Sequence, residues 1–81
     1  MSRYRLQYAP PADQARAAMD TSLRTRFDIG MRRITTDPYG QGSAPVGKDD
    51  DRREATVAGV VIRYYVSQNV LVVTVVRAVY I

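Results

Sequence analysis

The sequence predicts a small α+β domain in the order β-α-α-β-β-β, with an antiparallel-dominated sheet and two N-terminal helices packed on one of its faces. Three observations support this prediction: an alternating segment at the start, two helix-like segments after it, and valine-rich strands from Val57 to the end. A chain of 81 residues is expected to form a single domain that spans residues 1–81.

The first strand is expected over residues 3–8, where polar and apolar side chains alternate. Its Tyr4, Leu6 and Tyr8 would face the core. The segment Ala9-Pro10-Pro11 ends this strand, and proline suits the first turn of a helix. A short, alanine-rich helix over residues 12–20 is therefore predicted.

A longer helix follows, capped at its N-terminus by Thr21 or Ser22. Asp37-Pro38 ends it, because the residue before a proline avoids the α-helical region. Its apolar stripe consists of Leu23, Phe27, Met31 and Ile34. Arginines occupy most of the other side, and a solvated surface is favoured over a phosphate-contacting one for Arg24, Arg26, Arg32 and Arg33.

Residues 39–51 are expected to form a loop, because glycine and proline interrupt any regular pattern. The acidic run Asp49-Asp50-Asp51 would lie on this solvated loop. Strands are predicted over residues 53–57, 60–66 and 71–79. The last of these is apolar at almost every position, which favours a central strand covered on both faces.

The composition limits the possible chemistry. The chain contains neither cysteine nor histidine, which argues against a disulfide framework, a metal site or a Ser-His hydrolase. No cofactor is predicted. The net charge is +4, and Lys48 is the only lysine among twelve basic residues. Arginine binds phosphate bidentately, so a polyanion or an acidic protein is the expected partner.

The chain shows neither a signal peptide at its N-terminus nor an apolar run long enough to span a bilayer. The longest apolar run covers residues 70–76 and stops at Arg77. A cytoplasmic protein without membrane contact is therefore expected.

Arg63 and Arg77 are the only charged residues between Val57 and Ile81, and Tyr80 lies close to them in sequence. An unpaired guanidinium is costly to bury, so these groups either bind a phosphate or extend to water. A two-residue hairpin turn would place Arg63, Thr74 and Tyr80 on one face. A three-residue turn would instead place Arg63 on the face of Arg77, and Asn-Val does not decide between the two.

The whole chain resembles the RelE/ParE toxin superfamily. The resemblance rests on the order of the elements and on the segments YRLQY, TDPYGQG, RYY and VLVVTVV. The ending Arg77-Ala78-Val79-Tyr80 is similar to that of the YoeB-like branch, with Val79 where that branch has a histidine.

This resemblance implies the toxin of a toxin-antitoxin pair, which binds an acidic antitoxin protein. In the RelE and YoeB branches the toxin cuts mRNA on the ribosome by metal-free attack of a 2′-hydroxyl on the adjacent phosphate. By position in the family, the resemblance assigns catalysis to Arg63, Arg77 and Tyr80, and RNA binding to Lys48, Arg52 and Arg53. Two alternatives stay open: a ParE-like inhibitor of DNA gyrase, and a non-toxic member that only binds its antitoxin.

Overall fold

The structure, a computed structural model, describes residues 4–40 and 42–80. It confirms the α+β class. The elements are β1 (Arg5–Tyr8), α1 (Pro10–Ala17), α2 (Thr21–Thr36), β2 (Ser43–Val46), β3 (Asp49–Val57), β4 (Val60–Ser67) and β5 (Val72–Tyr80). The five strands lie in the order β1-β5-β4-β3-β2; β1 runs parallel to β5, and the other neighbours are antiparallel.

Both helices cover the same face of the sheet, where α1 packs against β5 and α2 against β3. The predicted stripe of α2 supplies this contact: Phe27 and Met31 are buried, and Leu23 and Ile34 pack at the margin. Tyr64 of β4 is also buried, and its hydroxyl donates to the carbonyl of Pro38 at 2.5 Å. That hydrogen bond anchors the end of α2 to the centre of the sheet.

The turn between the helices is held by side chains. Asp20 caps α2 by accepting a hydrogen bond from the Leu23 amide at 2.8 Å, so the expected cap at Thr21 or Ser22 is wrong by one residue or two. Aspartate caps a helix as well as serine does. Arg24 donates to the carbonyl of Met19 at 2.9 Å, which satisfies a backbone group beyond the end of α1.

The predicted loop over residues 39–51 is wrong in part, because it contains β2 and the start of β3. Pro45 fits β2 because this strand lies at the edge of the sheet, where a missing amide proton costs little. The register between the two strands shifts from Pro45↔Arg53 to Val46↔Asp49. The acidic run therefore belongs to β3 and to a bulge within it.

The central position of β5 is confirmed, but its expected burial on both faces is wrong. Val76 and Val79 are 43% and 46% exposed, because the helices cover only one face. Leu6, expected in the core, is 36% exposed because β1 is the other edge strand. In the described part of the chain, no helix is both long and apolar enough to cross a membrane.

The helix α2 lies close to the sheet at Gly30. A Cβ atom at this position would lie 2.3 Å from Cγ1 of Val57. Replacing glycine by alanine usually stabilises a helix by about 1 kcal/mol. Overpacking a core usually costs about 1–3 kcal/mol, so the clash outweighs the gain.

We therefore expect Gly30→Ala to lower the free energy of unfolding by about 1 kcal/mol or more, measured by urea titration. Thr25→Ala, at an exposed position of α2, is the control and should change stability little. Because Val57→Ala removes the clashing methyl group but also leaves a gap in the core, the loss in the double variant Gly30→Ala, Val57→Ala should be smaller than the sum of the two single losses. A single variant as stable as the parent would contradict the close packing of α2 on β3.

Candidate functional site

The face of the sheet away from the helices is open to solvent and carries the candidate site. On this face a cross-strand row runs from Glu54 in β3 through Arg63 in β4 to Arg77 in β5, each residue directly opposite the next. A depression of about 310 Å³ lies over this row, with Val61 and Val79 along one side. Two guanidiniums predicted to bind phosphate are thus brought together.

A β-bulge places Arg77 on this face. Val75 is fully buried against the helices, and in a regular strand residue 77 would point the same way. The register shifts from Tyr64↔Val75 to Arg63↔Arg77, which leaves Val76 as the extra residue and reverses the direction of the side chains after it.

In the hairpin of β4 and β5, Arg63 and Arg77 therefore lie on the same face. This is one of the two alternatives that the sequence left open. The turn differs from both expectations, because Ser67 pairs with Val72 and the connection has four residues instead of two or three.

The arginine pair is only partly neutralised. Arg63 Nε lies 3.4 Å from Glu54 Oε1, and both side chains are about half exposed, so this ion pair is weak. Within residues 4–40 and 42–80, Arg77 forms no ion pair or side-chain hydrogen bond. Like charges directly opposite each other on a sheet destabilise it by up to about 1 kcal/mol. A bound anion would relieve this repulsion.

Tyr80 does not join the two arginines. It pairs with Val60 on the helix-covered side of the sheet and lies next to Gly59, where an added Cβ would be 3.4 Å from its ring. The ring borders a groove formed with Met19 and Leu23. The grouping of Tyr80 with Arg63 and Arg77 is therefore wrong, since the sheet separates them.

Arg53 also lies on the helix-covered side, and only 5% of it is exposed. Its Nη1 donates to Asp50 Oδ1 at 2.7 Å, and its Nε donates to Ser43 Oγ at 2.9 Å. Its guanidinium carbon lies 5.3 Å from the centroid of the Tyr39 ring. This arginine ties β2 to β3, and its guanidinium is not available to an RNA backbone in this arrangement.

Lys48 and Arg52, the other expected RNA contacts, are both exposed. Lys48 lies in the turn between β2 and β3, six residues and therefore up to about 20 Å along the strand from Glu54. Arg52 lies on the open face, opposite Tyr65. Their roles in RNA binding stay predictions.

The open face also carries two residues to which the sequence analysis assigned no role. Glu54 is the carboxylate beside Arg63, and Tyr65 follows Arg63 by two positions on the same face. Strand alternation from Arg63 was enough to place Tyr65 there. Placing Glu54 required the register between β3 and β4.

Two other tyrosines have shifted ionisation. Burial, together with the hydrogen bond that the phenol donates to Asp51 at 2.6 Å, raises the pKa of Tyr39 to about 12, although the hydrogen bond from Gln68 lowers it. Burial also raises the pKa of Tyr8 to about 12. Both phenols therefore stay neutral at physiological pH. Among the described residues, no group of three or more acidic, histidine or cysteine side chains could hold a metal ion.

Arg52 and Arg53 are neighbours in β3 and allow a matched test of the structural role of Arg53. Arg53→Met should lower the free energy of unfolding by about 1–3 kcal/mol, because the hydrogen bonds of the buried guanidinium to Ser43 and Asp50 are lost. Arg52→Met, at a position with 64% side-chain exposure, should change it by less than about 0.5 kcal/mol. Urea titration of both variants measures the difference, and equal effects would contradict a structural role for Arg53.

The raised pKa values of Tyr8 and Tyr39 predict that the protein loses stability at alkaline pH. In the unfolded chain Tyr39 and Tyr8 ionise near pH 10, whereas in the folded protein they keep their protons to about pH 12. Between these values the unfolded state binds fewer protons, so the free energy of unfolding falls as the pH rises. The double variant Tyr8→Phe, Tyr39→Phe should show a smaller fall in urea titrations from pH 9 to 12. An unchanged slope would contradict the shifted ionisation.

Solved structures share this arrangement of helices and strands. A chain of the archaeal RelE–RelB complex from Pyrococcus horikoshii is 13% identical, with a TM-score of 0.80 over 96% of this chain and 94% of that one. A chain of the RelBE2 toxin-antitoxin complex from Mycobacterium tuberculosis is 11% identical, with a TM-score of 0.80 over 100% and 94%. The isolated RelE toxin from E. coli is 15% identical, with a TM-score of 0.80 over 95% and 83%.

No protein-family model and no curated protein sequence matches the chain. The likeness to solved structures establishes the architecture: this chain has the fold of the RelE structures, which is the fold that the sequence resemblance implied.

Proposed function

We propose that this protein is the toxin of a toxin-antitoxin pair and that it cleaves mRNA on the ribosome without a metal ion. One observation carries the proposal: Arg63 and Arg77 face each other on an exposed sheet of the RelE fold, and among the described residues Glu54 is the one carboxylate beside them. An arrangement that is unfavourable by itself becomes favourable when a phosphate is bound.

The arginine pair binds the phosphate to be cleaved. Each guanidinium can donate two parallel hydrogen bonds to phosphate oxygens. When the 2′-oxygen attacks, the phosphorus gains a further oxygen and negative charge accumulates on the equatorial oxygens. Two cations that are already in place stabilise that charge more than they stabilise the ground state, which lowers the barrier.

Glu54 accepts the proton of the attacking hydroxyl. Its carboxylate is beside Arg63, so a phosphate held by the arginines presents the adjacent 2′-hydroxyl within reach. The new bond joins the 2′-oxygen to phosphorus, the bond to the 5′-oxygen breaks, and that oxygen takes a proton from water. A 2′,3′-cyclic phosphate results. Tyr80 has no part in this step, because it lies on the other side of the sheet.

The proposed partners follow from charge and from the neighbouring structures. One of those neighbours is a RelE–RelB complex, and another is the toxin-antitoxin complex RelBE2. The present chain carries a net charge of +4, which suits an acidic antitoxin and the polyanionic ribosome. The expected location in the cytoplasm agrees with these partners and stays a prediction.

Primer extension on mRNA from cells that express the chain tests the proposal. Cleavage within translated codons is expected, and a ribosome-based cleavage assay should show about a hundredfold or greater loss of rate for Arg63→Ala and Arg77→Ala. Glu54→Gln should lose at least about a hundredfold, since it cannot accept the proton. Arg26→Ala, on the exposed side of α2, is the control and should retain activity.

The other two candidate functions, gyrase inhibition and antitoxin binding without toxicity, predict different results in the same experiment. Growth arrest with intact mRNA and a DNA-damage response would overturn the proposal in favour of gyrase inhibition. Normal growth with intact mRNA would favour a non-toxic protein that only binds its antitoxin. Full cleavage by Arg63→Ala would show that the assigned site is wrong.

A further inference from the structure

A second cross-strand row lies on the open face beside the arginine row. It contains Arg52 in β3, Tyr65 in β4 and Thr74 in β5, each opposite the next, and Gln7 in β1 at its end. Gln7 Nε2 donates to Thr74 Oγ1 at 2.8 Å. This row thus consists of an aromatic ring between a cation and a pair of hydrogen-bonding side chains.

The ring of Tyr65 is exposed although its neighbour in sequence is not. Tyr65 is 43% exposed, whereas Tyr64 is 1% exposed in the core. A single exposed aromatic side chain is common on protein surfaces. Here the ring also has the Arg52 guanidinium carbon 5.8 Å from its centroid, so its π-face and a positive charge are presented together.

The distance between the rows matches the dimensions of a nucleotide. Arg63 and Tyr65 lie on the same face of one strand, two residues and therefore about 7 Å apart along it. One sugar separates the phosphate of a nucleotide from its base, which is a comparable distance. A shallow depression of about 300 Å³ is bordered by Arg52, Arg63, Tyr65 and Val76, and so joins the two rows.

We propose that Tyr65 is a stacking platform for the base of the nucleotide whose phosphate lies on Arg63 and Arg77. Arg52, whose guanidinium lies over the Tyr65 ring, adds positive charge there, and the Gln7–Thr74 pair lies on the other side of Tyr65 in the row. The proposal rests on the phosphate site of the proposed function and deepens it, because it names the side chain that positions an unpaired base of the RNA. A base in a duplex is stacked on its neighbours and is not free to stack on a side chain.

Stacking on an aromatic ring tolerates every base, because each base has a π-face. The platform therefore positions the RNA without selecting a sequence by itself. An acidic peptide could bind the same arginines, but it has no flat ring to stack and would not depend on the aromatic character of Tyr65. This difference distinguishes the two kinds of ligand.

The test is the binding of a short single-stranded RNA, made non-cleavable by 2′-O-methyl groups, to the purified chain, followed by fluorescence anisotropy. Tyr65→Leu should weaken binding by about 5- to 150-fold, the equivalent of about 1–3 kcal/mol for one stacked base. Tyr65→Phe should bind like the parent. Tyr80→Leu, on the opposite side of the sheet, is the matched control and should also bind like the parent.

Two further measurements show whether the loss of binding is due to base stacking. The chain contains no tryptophan, so Tyr65→Trp introduces a single reporter whose fluorescence should be quenched when a base stacks on it. An oligonucleotide with abasic sites should bind the parent more weakly. It should show no further loss with Tyr65→Leu, because the lost contact is the same one. Thermal unfolding followed by circular dichroism verifies that each variant is folded.

The outcomes separate this inference from the proposed function. Parent-like binding by Tyr65→Leu, with a loss for Arg63→Ala, would overturn the platform and leave the phosphate site intact. A parent chain that binds no RNA would overturn both proposals. An equal loss of binding to RNA and to a polyglutamate peptide in Tyr65→Leu would also overturn the platform. Binding that depends on Tyr65, in a chain without cleavage activity, would support the platform and overturn only the proposed catalysis.

Discussion

The covering of one face of the sheet by two helices is the constraint on which the rest of this structure depends. Side chains alternate along a strand, so every residue of β3 and β4 is assigned either to the packed side or to the open side. Arg53 is therefore buried, while Arg52, its neighbour, is exposed. In the same way, Tyr64 is buried and Tyr65 is exposed.

Arginine has two opposite effects on stability in this small domain. Arg53 is hydrogen-bonded to Ser43 and Asp50 and holds the edge strand β2 in place. Arg63 and Arg77 repel each other across two strands, and in the described part of the chain only the carboxylate of Glu54 lies nearby. A local arrangement that lowers stability without an evident structural gain is typical of a functional site.

One inserted residue in β5 creates this arrangement. Without the bulge at Val76, residue 77 would point toward the helices, where Val75 is fully buried. The proposed phosphate site therefore depends on a backbone irregularity as much as on the choice of side chains. The neighbouring RelE structures share the fold at 11–16% identity, so function must be argued from the side chains on the open face rather than from the fold alone.

The sequence by itself determined the features that local periodicity controls. The stripe of α2, the alternation of β1 and the valine-rich final strands were enough for the fold class and for the location of most of the core. It did not reveal β2, because Gly42, Pro45 and Gly47 hide a strand that forms only by pairing with β3. Only the tertiary structure decided which charged groups meet, since turn length and a one-residue bulge reverse the direction of the side chains. As a result, Arg77 lies beside Arg63, Tyr80 lies on the other side of the sheet, and Arg53 is buried.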